Sequence, residues 1–367
     1  MADVAARRAA FRTLHASGCF LIPNPWDIGS ARYLQGLGFK ALATTSSGFA
    51  FSRGRPDSAA AVPLEMTLAH FEEIVAASDL PVNADFQAGY ADGPEGVAAN
   101  VRRCLETGVA GLSIEDSTGD AQRPLYDLGL AKERIKAARD AIDASHTGVL
   151  LTARAECYLV ETADPLRESV RRLEAYAEAG ADVLYAPGPR ERADIKTIID
   201  AVAPKPVNVL MGWHSGLQLS DLAELGARRV SVGSALARAA WTGFIRAARA
   251  MAETGRFDGL HGAAPFAEIN DFFESSRAIL GMPLRSPPHR HLRHRVRHAD
   301  RAVSSVRVPA LSRHPAGGIH PRGAHQGREP QGPPLVALSG RDPRPRCSSP
   351  APRRRPGPSR PAAPRSR

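Results

Sequence analysis

Acids and amides stand at recurrent places in this sequence, each just past a short apolar run. Asp57 follows the stretch Thr44-Thr45-Ser46-Ser47-Gly48. Asp85 ends PVNAD, with Gln87, Gly89 and Tyr90 just beyond. Glu115 and Asp116 end GLSIED, Arg154 and Glu156 end LLTARAE, and Asn208 sits in PVNVL. Carboxylates that converge without an equal number of cations mark a divalent metal site, and oxygen ligands favour Mg2+. The one guanidinium among them, Arg154, offers a planar fork that grips a carboxylate or phosphonate. The hydroxyls and backbone N–H groups of Thr45, Ser46 and Ser47 can cradle a carboxylate or serve only to satisfy a tight loop. Taken singly, each acid also has a structural reading. Asp85 can cap the loop after it, and Glu115 can be a buried partner of Arg154.

The elements that must position these residues are legible as short apolar runs alternating with helical patterns, the mark of parallel βα units. Eight runs read as strands: 19–23, 40–44, 81–85, 110–114, 148–153, 182–186, 206–210 and 229–233. Amphipathic segments at 64–78, 94–108, 130–144, 165–180 and 190–202 lie between them, and residues 1–16 form one more short amphipathic helix. Four strands are introduced by one phrase: LGFKAL at 37, TGVAGL at 107, AGADVL at 179 and LGARRV at 225. A glycine just past a helix end, in the left-handed conformation, leads there into a short loop and the next strand. Eight such units over about 250 residues predict a (β/α)8 TIM barrel. The alternative is an open doubly wound sheet, but no GxGxxG follows the first strand. In a barrel, the residues above all fall at the carboxyl ends of strands, the one face that carries chemistry.

The charge divides by position. The whole chain carries +10, but residues 285–367 hold 19 Arg, no Lys, three acids and 16 Pro. That leaves 29 basic and 35 acidic side chains in residues 1–284, a net of −6. The sequence therefore predicts two parts, a barrel domain over 1–284 and an Arg/Pro-rich tail over 285–367. The tail has no Phe, Tyr or Trp and cannot bury enough apolar surface to fold, so disorder is expected. Arginine without lysine suggests a GC-rich gene read out of frame. The basic runs alone argue weakly for nucleic acid, because aromatic stacking residues are missing. Four scattered cysteines (Cys19, Cys104, Cys157, Cys347) show no CxxC pair, and no apolar run reaches membrane-spanning length. A cytoplasmic protein away from membranes is expected.

In order and spacing, PNPWDIGSAR, GFKALATTSSGFAFSRGRPD, PVNADFQAGYAD, GVAGLSIEDS, LLTARAECYL, EAGADVLYAPG, PVNVL and LGARRVSVGSAL resemble the isocitrate lyase and phosphoenolpyruvate mutase superfamily, from about residue 10 to about 275. The resemblance implies a Mg2+-bound 2-oxocarboxylate or its enolate. It makes Asp85 the metal acid, with Gln87 at the second metal position and Asp57 and Glu115 helping through water. It places Thr45, Ser46 and Ser47 in the loop that holds the carboxylate, Arg154 facing the substrate, and Asn208 beside it. It also implies a homo-oligomer, commonly a tetramer that exchanges a terminal helix. PFAEINDFF near 265 is a candidate for that helix, or for one packed on its own barrel.

Two departures stand out. Gln87 occupies a position where an acid is usual, which lowers the charge offered to a metal. The mobile KKCGH-like loop of the lyases, whose cysteine moves a proton, is replaced by STGDAQRPLYDLG. Cys157 reads as structural. Asp120, Tyr126 and Asp127 are the proton donors the new loop offers. The sequence thus points to a Mg2+-dependent enzyme acting on a small 2-oxo or hydroxy carboxylate through an enolate-like intermediate, as a C–C lyase. The alternatives are an oxaloacetate-type hydrolase or phosphonate P–C mutase, a barrel that binds a metabolite without turning it over, and an RNA-binding protein working through the tail.

Overall fold

The computed structural model describes residues 3–160 and 162–280, so the expectations for the tail lie outside the described residues. Eight parallel strands form one sheet: β1 (Phe20–Ile22), β2 (Leu42–Ala43), β3 (Val82–Asp85), β4 (Gly111–Glu115), β5 (Leu150–Arg154), β6 (Val183–Tyr185), β7 (Val207–Leu210) and β8 (Arg229–Ser231). The helices are α1 (Val4–Ala16), α2 (Ile28–Gly36), α3 (Ser46–Ser52), α4 (Leu64–Ala77), α5 (Pro94–Glu106), α6 (Leu128–Ala144), α7 (Pro165–Glu178), α8 (Arg192–Ala201), α9 (Leu219–Glu224), α10 (Ala235–Thr254) and α11 (Phe266–Leu280). Each strand pairs with its sequence neighbour except across β1 and β2, while β1 pairs with β8. The remaining seam is crossed by the Ala43 N–H donating to Pro23 O at 3.0 Å and by Asn24, whose Nδ2 donates to Thr44 O at 3.0 Å. The nearly closed barrel of the sequence reading is the fold.

The joints are those the recurring phrase predicts. Gly38, Gly108, Gly180 and Gly226 have φ of 85°, 85°, 99° and 99°, a region a side chain rarely adopts. Helix starts are also encoded locally. Asp27 accepts from the Ser30 N–H at 2.7 Å and Ser30 Oγ accepts from the Asp27 N–H at 3.1 Å, a reciprocal cap for α2.

α1 closes the amino-terminal end of the barrel. Its Phe11 is fully buried in a cluster with Ile22, Ala41, Ala43, Ala110 and Leu150, from β1, β2, β5 and the residues that lead into β2 and β4. Its arginines tie to main-chain oxygens: Arg7 to Val75 O and Ser78 O (2.8 and 3.1 Å), Arg8 to Val109 O (2.9 Å), and Arg12 to Gly148 O (2.6 Å). α11 rests on α2, with the Phe272 ring 4.6 Å from that of Tyr33 and over Gly36, where a Cβ would come within 2.5 Å of it. Several large apolar side chains of the last segments stay exposed, among them Phe244 (62%) and Phe266 (84%).

Candidate functional site

Because strand side chains alternate, every second residue faces the barrel interior. Asn83 and Asp85, Ser113 and Glu115, Asn208 and Leu210, and Arg229 and Ser231 all line one cavity of about 470 Å3 at the carboxyl ends of the strands. The same cavity is lined by all nine residues assigned from sequence: Thr45, Ser46, Ser47, Asp57, Asp85, Gln87, Glu115, Arg154 and Asn208.

Arg154 is the hub. Its Nη1 donates to Asp85 Oδ1 at 2.9 Å and lies 3.1 Å from Glu115 Oε2, while Nε and Nη2 meet Glu156 Oε1 at 3.0 and 2.9 Å. The fork expected to grip a substrate is therefore engaged by three carboxylates of the protein. The other Asp85 oxygen, Oδ2, accepts the Ser46 N–H at 2.9 Å, and the Asp85 N–H donates to Thr44 Oγ1 at 2.8 Å. Asp57 accepts from Ser46 Oγ and from Gln87 Nε2, both at 3.4 Å. Gln87 has φ of 46°, a left-handed conformation costly for a side chain, and its C=O accepts the Glu115 N–H at 3.0 Å. That turn aims its amide back into the cavity beside Asp57.

Four carboxylates (Asp57, Asp85, Glu115 and Glu156) thus crowd toward Arg154 in a cavity whose only other charged lining residue among those described is Arg229, a formal surplus of two negative charges when every acid is ionised. Burial is the largest push on Glu115, raising it to about 8. Arg154 opposes the rise, and Glu156, Asp85 and Asp57 add to it. Burial likewise raises Glu156 and Asp57. Burial works against the Arg154 cation, but Glu156, Glu115 and Asp85 outweigh it and hold the guanidinium charged. Among the described residues, no three His, Cys, Asp or Glu side chains form a ready cage for a metal ion. Mg2+ rarely needs one, because it keeps several waters and takes one or two carboxylates. Each Asp85 oxygen has lone pairs left beyond its present bond. An all-oxygen donor set with surplus negative charge fits a hard cation.

Comparison with known proteins agrees with this geometry. The family model for phosphoenolpyruvate phosphomutase matches residues 11–252. The chain belongs to this family. It is 33% identical over 269 residues to an uncharacterised protein of Mycobacterium tuberculosis, covering 71% of this chain and 94% of the relative. A solved lyase/mutase candidate from Burkholderia cenocepacia J2315 is 48% identical with a TM-score of 0.69, covering 74% of this chain and 96% of that one. The structure of 2,3-dimethylmalate lyase is 26% identical with a TM-score of 0.64, covering 77% and 98%. The phosphoenolpyruvate mutase and isocitrate lyase superfamily includes lyases, oxaloacetate hydrolases and phosphomutases.

Against that family background, the segment after β4 folds as a tied-down hairpin. Ser117 and Leu125 form an antiparallel bridge, the Thr118 N–H donates to Pro124 O at 3.0 Å, and Thr118 Oγ1 donates to Arg123 O at 2.5 Å. Ser117, Thr118 and Gly119 reach the cavity, but the three proton donors expected from sequence do not line it. Asp120 accepts from the Gln122 N–H at 2.8 Å, Tyr126 donates to Asp92 Oδ1 at 2.6 Å with its ring against Arg134, and Asp127 stands at the start of α6. Asp116 points to the other side of the wall from Glu115. There its Oδ2 accepts from Tyr176 Oη (2.6 Å) and Arg172 Nη1 (2.9 Å). Cys157 is fully buried and outside the cavity lining, as its structural reading requires.

The sequence reading assigned no role to Asn24, Glu156, Tyr185, Arg229 or Ser231, all of which line the cavity. Asn24 is a strap at the seam: its Oδ1 accepts the N–H groups of Val232 and Gly233 at 3.0 and 2.9 Å. Only Glu156 carried a sequence signal of this kind, an acid just past a strand end.

Proposed function

We propose that the protein is a Mg2+-dependent enzyme that acts on a small 2-oxo or hydroxy carboxylate through an enolate-like intermediate and breaks a C–C bond. The carrying observation is the buried surplus of carboxylates around Arg154, at the one face of the barrel where a ligand can enter. Asp85 and Gln87 would hold the cation, with Asp57 and Glu115 reaching it through water. When bound, Mg2+ supplies positive charge that stabilises an oxyanion next to the breaking bond. Arg154 fixes the orientation of Asp85, Glu115 and Glu156 and balances part of their charge. With that fork engaged, the ligand carboxylate falls to the hydroxyls of Thr45, Ser46 and Ser47 and to Asn208.

The assembly we propose is a homo-oligomer, a tetramer by resemblance, supported by the exposed apolar side chains of α10 and α11. Three widely separated free cysteines among the described residues support a reducing, cytoplasmic setting. Among the described residues, no helix is long and apolar enough to cross a membrane.

Calorimetric titration of oxalate, a mimic of the pyruvate enolate, into the full-length chain with and without Mg2+ tests the site. Metal-dependent binding supports the reading, and absence of binding under both conditions overturns it. A second reading, a barrel that binds without turnover, is favoured by the hairpin 117–125, which has neither Cys nor His. Failure to convert any of a panel of small oxo and hydroxy acids, despite oxalate binding, would select it.

A further inference from the structure

Behind the acids, on the far side of the cavity wall, one buried carboxylate ties two strands, a helix and the hairpin together. Asp116, 4% exposed, follows the last residue of β4 but takes no part in the cavity lining. It grips the end of β5 at two points. Its N–H donates to Arg154 O at 3.3 Å, and its Oδ1 accepts the Glu156 N–H at 2.9 Å. These points straddle Ala155, so they fix the main chain that carries both Arg154 and Glu156. The other oxygen, Oδ2, is held from α7 by Tyr176 Oη at 2.6 Å and Arg172 Nη1 at 2.9 Å. Tyr176 and Arg172 stand one turn apart on that helix, and both are buried. Arg172 is fixed in turn, its Nε donating to Glu168 Oε1 at 2.8 Å. Arg172 Nη1 also donates to Tyr126 O at 3.0 Å, and the Tyr126 N–H donates to Asp116 O at 3.0 Å. The ion pair therefore holds the residue at which the hairpin returns as well. A buried ion pair adds little net stability over apolar packing, so stability alone does not account for a charge here.

We propose that Asp116 is a positioning residue for the cation site, acting from behind the wall through Glu156 and Arg154. The inference rests on the enolate-site reading and adds to it a residue outside the cavity. Every link is a direct contact. Asp116 Oδ1 holds the Glu156 N–H, Glu156 Oε1 meets Arg154 Nε and Nη2 at 3.0 and 2.9 Å, and Arg154 Nη1 donates to Asp85 Oδ1 at 2.9 Å. A shift of the Glu156 main chain swings the fork, and the fork carries Asp85 with it. Mg2+ demands near-ideal ligand geometry, so a small swing is costly.

The test is a double-mutant cycle read by calorimetric titration of oxalate into the full-length chain in Mg2+. Asp116→Asn keeps the shape but turns an NH2 against one set of donors, and should weaken oxalate binding about tenfold. In a Glu156→Ala background nothing is left for Asp116 to aim, and the same change should cost less than about twofold. A merely structural role would cost as much in both backgrounds. Equal loss in the two, or no loss in the first, overturns the inference and leaves the enolate site standing. If the wild type itself fails to bind oxalate, both the site reading and this inference fall. Should Asp116→Asn not fold, Tyr176→Phe removes one bond to Asp116 and takes its place in the cycle, with an expected cost of about threefold. Should Glu156→Ala alone abolish binding, the crystal structure of Asp116→Asn decides: a fork displaced from Asp85 supports the inference, and an unchanged fork overturns it.

Discussion

The two ends of the barrel use arginine in opposite ways. At the floor, Arg7, Arg8, Arg12 and Arg228 donate to main-chain oxygens, which tie α1 and the strand starts together. At the mouth, Arg154 sits among Asp85, Glu115 and Glu156 with Asp57 close by. Carbonyl partners do not titrate, so these four arginine ties contribute the same stability across pH. Carboxylates crowded in a buried space resist ionising, and the mouth therefore stores a charge conflict that a cation relieves. The difference sets an end whose arginines serve only main-chain carbonyls apart from an end with a buried surplus of acids, the feature on which the proposed function rests.

The largest expected effect breaks the mouth alone. Asp85→Ala should lower Mg2+-dependent oxalate affinity at least about a hundredfold, as calorimetry would read it, because it removes a central ligand of the proposed cation site. The melting temperature should hold or rise, since one of four crowded carboxylates is gone. Retained binding would show that the cation sits elsewhere. The converse change is at the floor. Arg7→Ala removes two charge-assisted bonds from a side chain only 7% exposed and should cost about 3 kcal/mol in urea unfolding. Oxalate affinity should not move. A loss of binding at unchanged stability would erase the distinction between the ends.

The smallest effect is in pH. Raised folded-state values at Glu115, Glu156 and Asp57 mean that the native protein holds protons the unfolded chain would release. Below about pH 6.5 this is opposed by His15 and His70, which burial lowers to about 3 and which therefore add stability as pH rises toward 6.5. The net fall in stability of the metal-free protein, a few degrees in melting temperature, should therefore appear as pH climbs from about 6.5 through about 8. Mg2+ should restore more of it at pH 8 than at pH 6, because it binds the native state and competes with those protons. A flat profile would mean the carboxylates are not in conflict.

Much of this was readable from the chain. The strands announced themselves as buried apolar runs, and the four glycine joints set where each begins. The acids were legible because they stand at strand ends, where an apolar run stops. Tyr185, Arg229 and Ser231 were not, because they lie inside runs such as VLY and RVS that read as plain core. Parallel strands are covered on both faces, so hydrophobic alternation does not say which residues face the barrel interior. Asp116 shows the same blindness: one position from Glu115, it points out toward α7. The proton donors assigned to 117–127 failed for a different reason. A hairpin's internal bonds decide where its side chains go, and Asp120 and Tyr126 are taken by neighbours.

That hairpin has a kinetic consequence. Its backbone is closed on itself by the Ser117–Leu125 bridge and by the bonds of Thr118 and Arg123 to Pro124 and Asp120. A segment so closed resists unravelling on its own. Where a lid must unfold and refold, turnover depends on conformational release; with this hairpin kept closed, ligand exchange is expected to follow diffusion through the mouth. Entry and departure should then vary with solvent viscosity and ionic strength rather than with a slow internal rearrangement.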